Sequence, residues 1–169
     1  METRQELKEI INELKEKLKE AQNKLENLNK NERWKPNNDD AYYYLDSQNC
    51  VFNAFFDDRI CSDENRYSTY NCFQTPEEAQ REANKILIRR KLEDIARRLN
   101  GDEKIDWSKA NQRKYFINYY FSDYNKGLCI DWNSHMCVQG VIYCLDKNFI
   151  DEAIKEIGEK ELVSYITND

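Results

Sequence analysis

Apolar residues recur at Leu7, Ile11, Leu14, Leu18, Ala21, Leu25 and Leu28, in alternating steps of four and three. That spacing puts them on one narrow stripe, the a and d positions of a heptad, with Glu and Lys filling most flanking positions. It predicts a helix from about Arg4 to Asn29, roughly 40 Å long at 1.5 Å per residue, closed by Trp34-Lys35-Pro36. A seam this narrow suits a single partner helix: a second copy of the chain, the chain's own domain, or another protein. A homodimer through this arm is the first expectation, with Leu7, Ile11, Leu14, Leu18, Leu25 and Leu28 as the oligomerisation seam.

From Asp40 onward the pattern turns to short aromatic runs. Tyr42-Tyr43-Tyr44-Leu45 and Val51 to Phe56 read as strands around the turn-forming Asp46-Ser47-Gln48-Asn49. A third strand is predicted at Tyr67 to Phe73. Thr75-Pro76-Glu77-Glu78 then opens a helix, with Thr at the N-cap, Pro at the first position and acids in the first turn. It runs through Ala79, Ala83, Ile86, Leu92, Ile95 and Leu99 and stops at Asn100-Gly101.

The second half repeats this order: strands at Tyr115 to Phe121, Leu128 to Trp132 and Val138 to Leu145, then a helix from Phe149 to Ile157. Gly158 breaks it, and Lys160 to Ile166 forms a last short helix. Each half holds three cysteines, Cys50, Cys61 and Cys72 against Cys129, Cys137 and Cys144. The predicted fold class is α+β: a long coiled-coil-type helix over residues 1–33, then an α+β domain over 34–169. In that domain an antiparallel sheet carries helices as a tandem βββα duplication, with halves at about 40–101 and 106–166.

The chain has 169 residues and a formal net charge of −6. Residues 36–75 hold two Arg against seven Asp and Glu, whereas residues 76–101 hold seven basic groups against five acidic ones. An acidic chain is a poor nonspecific ligand for phosphate backbones, which argues against direct nucleic-acid binding. The longest uncharged stretch, Trp132 to Leu145, is polar and too short to span a bilayer. The charged start from Glu2 and six cysteines without CxxC spacing lead to the expectation of free thiols in a cytoplasmic protein.

Catalytic chemistry has little to work with. The one imidazole, His135, lies near Cys129, Asp131 and Cys144 in sequence, but zinc sites carry paired ligand spacings that are missing here. Asp57-Asp58 and Asp63-Glu64 flank Arg59 without the Gly or the alternation of a calcium loop. No Gly-rich phosphate loop, GxSxG or HExxH occurs. No catalytic residue, metal or cofactor is expected, and the chain is read as a non-enzyme. The cations Arg89, Arg90, Lys91, Arg97 and Arg98 are interleaved with Glu93 and Asp94, and pairs such as Glu93–Arg97 and Asp94–Arg98 account for them as helix stabilisers. The candidate partner surface is instead acidic and aromatic: Asp39, Asp40, Tyr42, Tyr44, Asp57, Asp58, Asp63 and Glu64.

Trp34-Lys35-Pro36, Tyr42-Tyr43-Tyr44, Arg66-Tyr67 and Asn71-Cys72-Phe73-Gln74-Thr75-Pro76-Glu77-Glu78-Ala79 resemble a family of small Firmicutes phage and prophage accessory proteins. So do Asp106-Trp107, Lys114-Tyr115 and Glu152-Ala153-Ile154-Lys155-Glu156-Ile157-Gly158. The likeness covers about residues 34–166, and the chain departs from it at Asn37-Asn38-Asp39-Asp40, where relatives often carry a charged turn with Gly. That family has no agreed enzyme activity, so no catalytic residue carries over. The resemblance implies a phage protein in the bacterial host, of a size and acidity common among inhibitors of host defence, including anti-CRISPR proteins. The implied partner is a defence effector, a CRISPR nuclease or its ribonucleoprotein, whose basic channel an acidic aromatic face would occupy. Two other classes stay open: a structural or oligomerisation protein of phage assembly or replication, and a metal-dependent nuclease using Asp57, Asp58 and Asp63 or the His135 region.

Overall fold

In the computed structural model, which describes residues 11–19, 33–122 and 125–168, the first element is a helix, α1, at residues 11–19. This corrects the long coiled-coil-type helix: the described helix is short. Its seam residues Ile11, Leu14 and Leu18 are half or more exposed, while Leu7, Leu25 and Leu28 lie outside the described residues. The physical reason is that a heptad stripe draws its stability from the surface that covers it, and an uncovered helix below about 12–15 residues is marginal. What supports α1 locally is the Glu13–Lys17 pair at 2.6 Å, one turn apart.

Contacts divide the chain into two compact units, the first joining residues up to Tyr42 with Ala54–Gln74, the second joining Tyr43–Asn53 with residues from Thr75 onward. Strands β1 (Ala41–Leu45) and β2 (Val51–Phe55) form a two-stranded antiparallel sheet and contribute to both. Their turn is set by Asp46, whose carboxylate accepts from the amides of Gln48 at 2.9 Å and Cys50 at 2.8 Å.

In the first unit Tyr42 and Phe56 are buried and meet edge to face at 5.9 Å. The strand expected at Tyr67 to Phe73 is a helix end instead: α2 spans Cys61–Ser68. The aromatic and β-branched run Tyr67-Ser68-Thr69-Tyr70 suggested a strand, but its hydroxyls serve a helix C-terminus. Ser68 and Thr69 donate to the carbonyl of Asn65 at 3.0 and 2.7 Å. Tyr70 turns to φ 63°, and the Asn71 amide reaches back to the Arg66 carbonyl at 2.8 Å. That is the left-handed closure of a helix.

The second unit is built on α3 (Pro76–Asn100), which starts as expected with a full capping box. The Glu78 amide donates to Thr75 Oγ1 at 3.2 Å and the Thr75 amide to Glu78 Oε2 at 3.3 Å. Strands β3 (Lys114–Ser122) and β4 (Asn125–Asn133) pair antiparallel with Ile117 opposite Ile130 and Tyr119 opposite Leu128. Helices α4 (Phe149–Ile157) and α5 (Glu159–Thr167) follow, parted by Gly158 at φ 101°, a backbone conformation that residues with a Cβ rarely adopt. The core joins Leu92, Ile95, Ala96, Cys144, Phe149, Ala153 and Leu162, with Ile117, Leu128 and Ile130 packed on it from one face of the hairpin. Full burial of a Leu, Ile or Phe such as Leu92, Ile95, Phe149 or Leu162 contributes about 1.5–3 kcal/mol.

The strand expected at Val138 to Leu145 is reduced to one bridge. Only Cys144 pairs, exchanging backbone hydrogen bonds of 2.7 and 2.8 Å with Tyr115. Before it the chain turns through Gly140 at φ 86°, and the Val138 amide is taken by the Tyr143 hydroxyl at 3.1 Å rather than by a neighbouring strand. The described residues thus form two separate two-stranded sheets with no tandem βββα duplication, which corrects the second part of the predicted fold class. All six cysteines are unpaired, and burial raises the thiol pKa of Cys72 to about 11 and pushes that of Cys144 in the same direction. Among the described residues no helix is long and apolar enough to cross a membrane.

Candidate partner-binding surface

The acidic candidates separate into two groups. Residues 37–40 form a tight turn in which the Asp40 carboxylate accepts from the Asn37 amide and from Asn37 Nδ2, both at 2.9 Å. Asp39 takes φ 69°, which short polar side chains tolerate. This turn is fastened to residues 56–58 by four hydrogen bonds. The Asp39 amide donates to the Phe56 carbonyl at 2.8 Å, and the Phe56 amide to the Asp40 carbonyl at 2.9 Å. Asn38 Nδ2 donates to Asp58 Oδ1 at 3.2 Å, and the Asp58 amide donates back to Asn38 Oδ1 at 2.9 Å.

Asp39, Asp40, Asp57 and Asp58 therefore stand on adjoining loops, with Asp39, Asp40 and Asp58 exposed. The cation among them is Arg59, which donates to both oxygens of Asp57, at 2.9 and 2.8 Å. Those bonds, helped by the Arg59 amide, hold the Asp57 carboxyl at a pKa of about 2, below its ordinary 3.8. In Arg59→Ala an NMR titration should move the Asp57 midpoint upward toward the ordinary value, so that the carboxylate protonates between pH 4 and 3 instead of near 2. A midpoint that stays near 2 in the variant would show that another group holds it.

Tyr42 and Asp63 do not belong to the surface, which corrects their placement there. Both are buried. The Tyr42 hydroxyl donates to Asp63 Oδ1 at 2.8 Å, and Arg66 Nη1 donates to Tyr42 Oη at 2.7 Å and to Asp63 Oδ1 at 3.0 Å. The other Asp63 oxygen accepts from the Asp57 amide at 3.1 Å. Burial lifts the Tyr42 phenol to a pKa of about 12, against the pull of Arg66. These two residues hold the acidic loop from below. Glu64 is tied to Lys35 at 2.9 Å. Tyr44 lies in the second unit, half-buried and stacked with Phe52 at 6.0 Å.

On α3, Arg89 pairs with Glu93 at 2.9 Å, Arg97 with Asp94, and Arg98 with Asp94 at 3.1 Å and with Glu156 at 2.5 Å. Asp94–Arg98 is the pair expected, whereas Glu93 takes Arg89 instead of Arg97. His135 is exposed, its amide capped by Asn133 Oδ1 at 2.9 Å. Among the described residues no three His, Cys, Asp or Glu side chains gather as a metal site.

The sequence reading missed three features. Arg33 lies between the rings of Tyr67 and Tyr70, 4.2 Å from each centroid, with one buried guanidinium nitrogen lacking a hydrogen bond. Lys114 is fully buried, donating to the carbonyls of Lys109 at 3.0 Å and Ser134 at 3.4 Å beside the Trp107 ring. Phe55 and Ile60 bracket the Asp57–Asp58 loop in sequence and are 68% and 47% exposed, so they, rather than Tyr42, are the apolar residues offered beside the acids. Comparison with protein-family models, curated proteins and solved structures finds no match to this chain.

Proposed function

We propose that this chain is a non-catalytic inhibitor of a bacterial defence system, of the anti-CRISPR type, that binds a nucleic-acid-handling effector protein through the joined acidic loops. The observation that carries the reading is the fastening of residues 37–40 to 56–58, which sets the exposed carboxylates of Asp39, Asp40 and Asp58, with the Arg59-paired Asp57 beside them, for a basic groove. Loops already ordered by their own hydrogen bonds lose little entropy on binding. Exposed Phe55 and Ile60 offer apolar contact area beside the charge, as anchors at interfaces do. Effectors of this kind hold nucleic acid in strongly basic channels, and the phage-type resemblance supplies the setting, the cytoplasm of an infected cell. The protein uses no metal or cofactor of its own in this reading.

The test adds purified protein to guide-loaded CRISPR nucleases and follows cleavage of target DNA. Inhibition that saturates at a fixed ratio of protein to complex is the expected result. Cleavage that proceeds at the uninhibited rate across the panel would defeat the proposal. DNA cut by the protein alone with Mg²⁺ would replace it with the nuclease reading.

A further inference from the structure

The second unit holds a half-open cavity of about 370 Å³ between α3, β3 and the ends of α4 and α5. Its walls are chiefly apolar: Leu92, Phe116, Ile117, Val141, Ile142 and Phe149. Protein interiors seldom leave gaps much larger than a water molecule, and this one lies in the range of about 300–1,000 Å³ that holds small organic ligands. A second cavity of about 320 Å³ adjoins it, with Lys85, Tyr165 and Asn168 lining both.

The charged groups that line the two cavities are of one sign. Lys85 lines both cavities and donates to Asn168 Oδ1, an uncharged partner. Arg81 lines the second cavity, one helical turn before Lys85. One turn after it, Arg89 donates to the carbonyl of Gly140, a lining residue, at 3.4 Å, although its charge is shared with Glu93. No carboxylate lines either cavity among the described residues. An apolar chamber with a few convergent polar groups is the common form of a small-molecule site, and here the charge selects an anion.

We propose that this cavity binds a small amphipathic organic anion, its apolar body against Phe116, Ile142 and Phe149 and its acidic head on Lys85. This site is independent of the acidic loops and of the inhibitor reading. The probe is 8-anilinonaphthalene-1-sulfonate, compared with N-phenyl-1-naphthylamine, which has a similar aromatic body without the sulfonate. The full chain should bind one sulfonate probe saturably. Lys85→Gln should weaken the sulfonate about tenfold, the usual effect of losing one charge-assisted contact, and the uncharged amine less than twofold. Val141→Trp, which fills the chamber, should abolish binding of both with the folded circular-dichroism spectrum retained. Should that variant not fold, nuclear Overhauser contacts from the bound probe to Phe116 and Ile142 in the unsubstituted protein locate it. Equal sulfonate affinity in Lys85→Gln, contacts to other residues only, or no saturable binding would overturn the proposal.

Discussion

Asp63→Ala should cost the first unit about 3 kcal/mol, the low end of what removing one partner of a buried ion pair costs. Asp63 is 4% exposed, and its carboxylate gathers four donors, the Tyr42 hydroxyl, Arg66 Nη1, the Asp57 amide and, at a longer 3.4 Å, the Ser62 hydroxyl. Its removal takes a buried acceptor away from the Tyr42 hydroxyl, the Asp57 amide and the Arg66 guanidinium, while Arg66 keeps its bond to the Tyr42 oxygen. Arg66 keeps 27% of its side chain exposed, so water recovers part of the loss and sets the low end of the range. Hydrogen exchange should report faster opening at the amides of Phe56 and Asp57. Tyr42→Phe, which keeps the ring packed on Phe56 and removes one donor, should cost about 1 kcal/mol. An Asp63→Ala protein less than 1 kcal/mol weaker, with exchange at Asp57 unchanged, would refute the role given to this residue.

The second large effect concerns association. Converting Asp39, Asp40, Asp57 and Asp58 together to Asn removes the loop carboxylates while Arg59 remains. Electrostatic steering separates association rates of charged and neutral surfaces by about two to three orders of magnitude at low salt. For an effector of the proposed kind, the association rate should therefore fall about 100-fold in 20 mM salt and much less in 300 mM, where the Debye length is near 6 Å. Solvated loop charges contribute little to stability, but Asp40 and Asp58 accept bonds that hold the turns. Asn keeps an acceptor oxygen at each position. A rate that is the same for both proteins at low salt would remove steering from the account.

How much of this could be read from the chain alone depended on the range of the interaction. Helix α3 announced itself because Thr75, Pro76 and Glu78 are its own start signal, and Gly158 marked the break between α4 and α5. The β3–β4 hairpin was legible in its aromatic and aliphatic alternation. Helix α2 was not, since Tyr67 to Tyr70 has strand propensity and only the folded backbone turns those hydroxyls onto Asn65. The separation between Asp63 as scaffold and Asp58 as surface was hidden for another reason. Asp63 is buried by Tyr42, 21 positions earlier, and Asp58 is held by Asn38, 20 positions earlier. Two acids in the same charged run are alike in sequence and opposite in environment. The amphipathic cavity was invisible for the same reason, because its walls come from segments spread between Lys85 and Asn168.

The most direct measurement compares the half-inhibitory concentration of three proteins against one effector that the unsubstituted chain inhibits. They are the unsubstituted chain, the four-Asn variant of the acidic loops, and a variant with Arg90, Arg97 and Arg98 changed to Gln. With all three folded by circular dichroism, the loop variant should lose inhibition at least 30-fold, about 2 kcal/mol, and the arginine variant should stay within threefold of the unsubstituted chain. Full inhibition by the loop variant together with loss in the arginine variant would contradict the account and move the contact surface to α3.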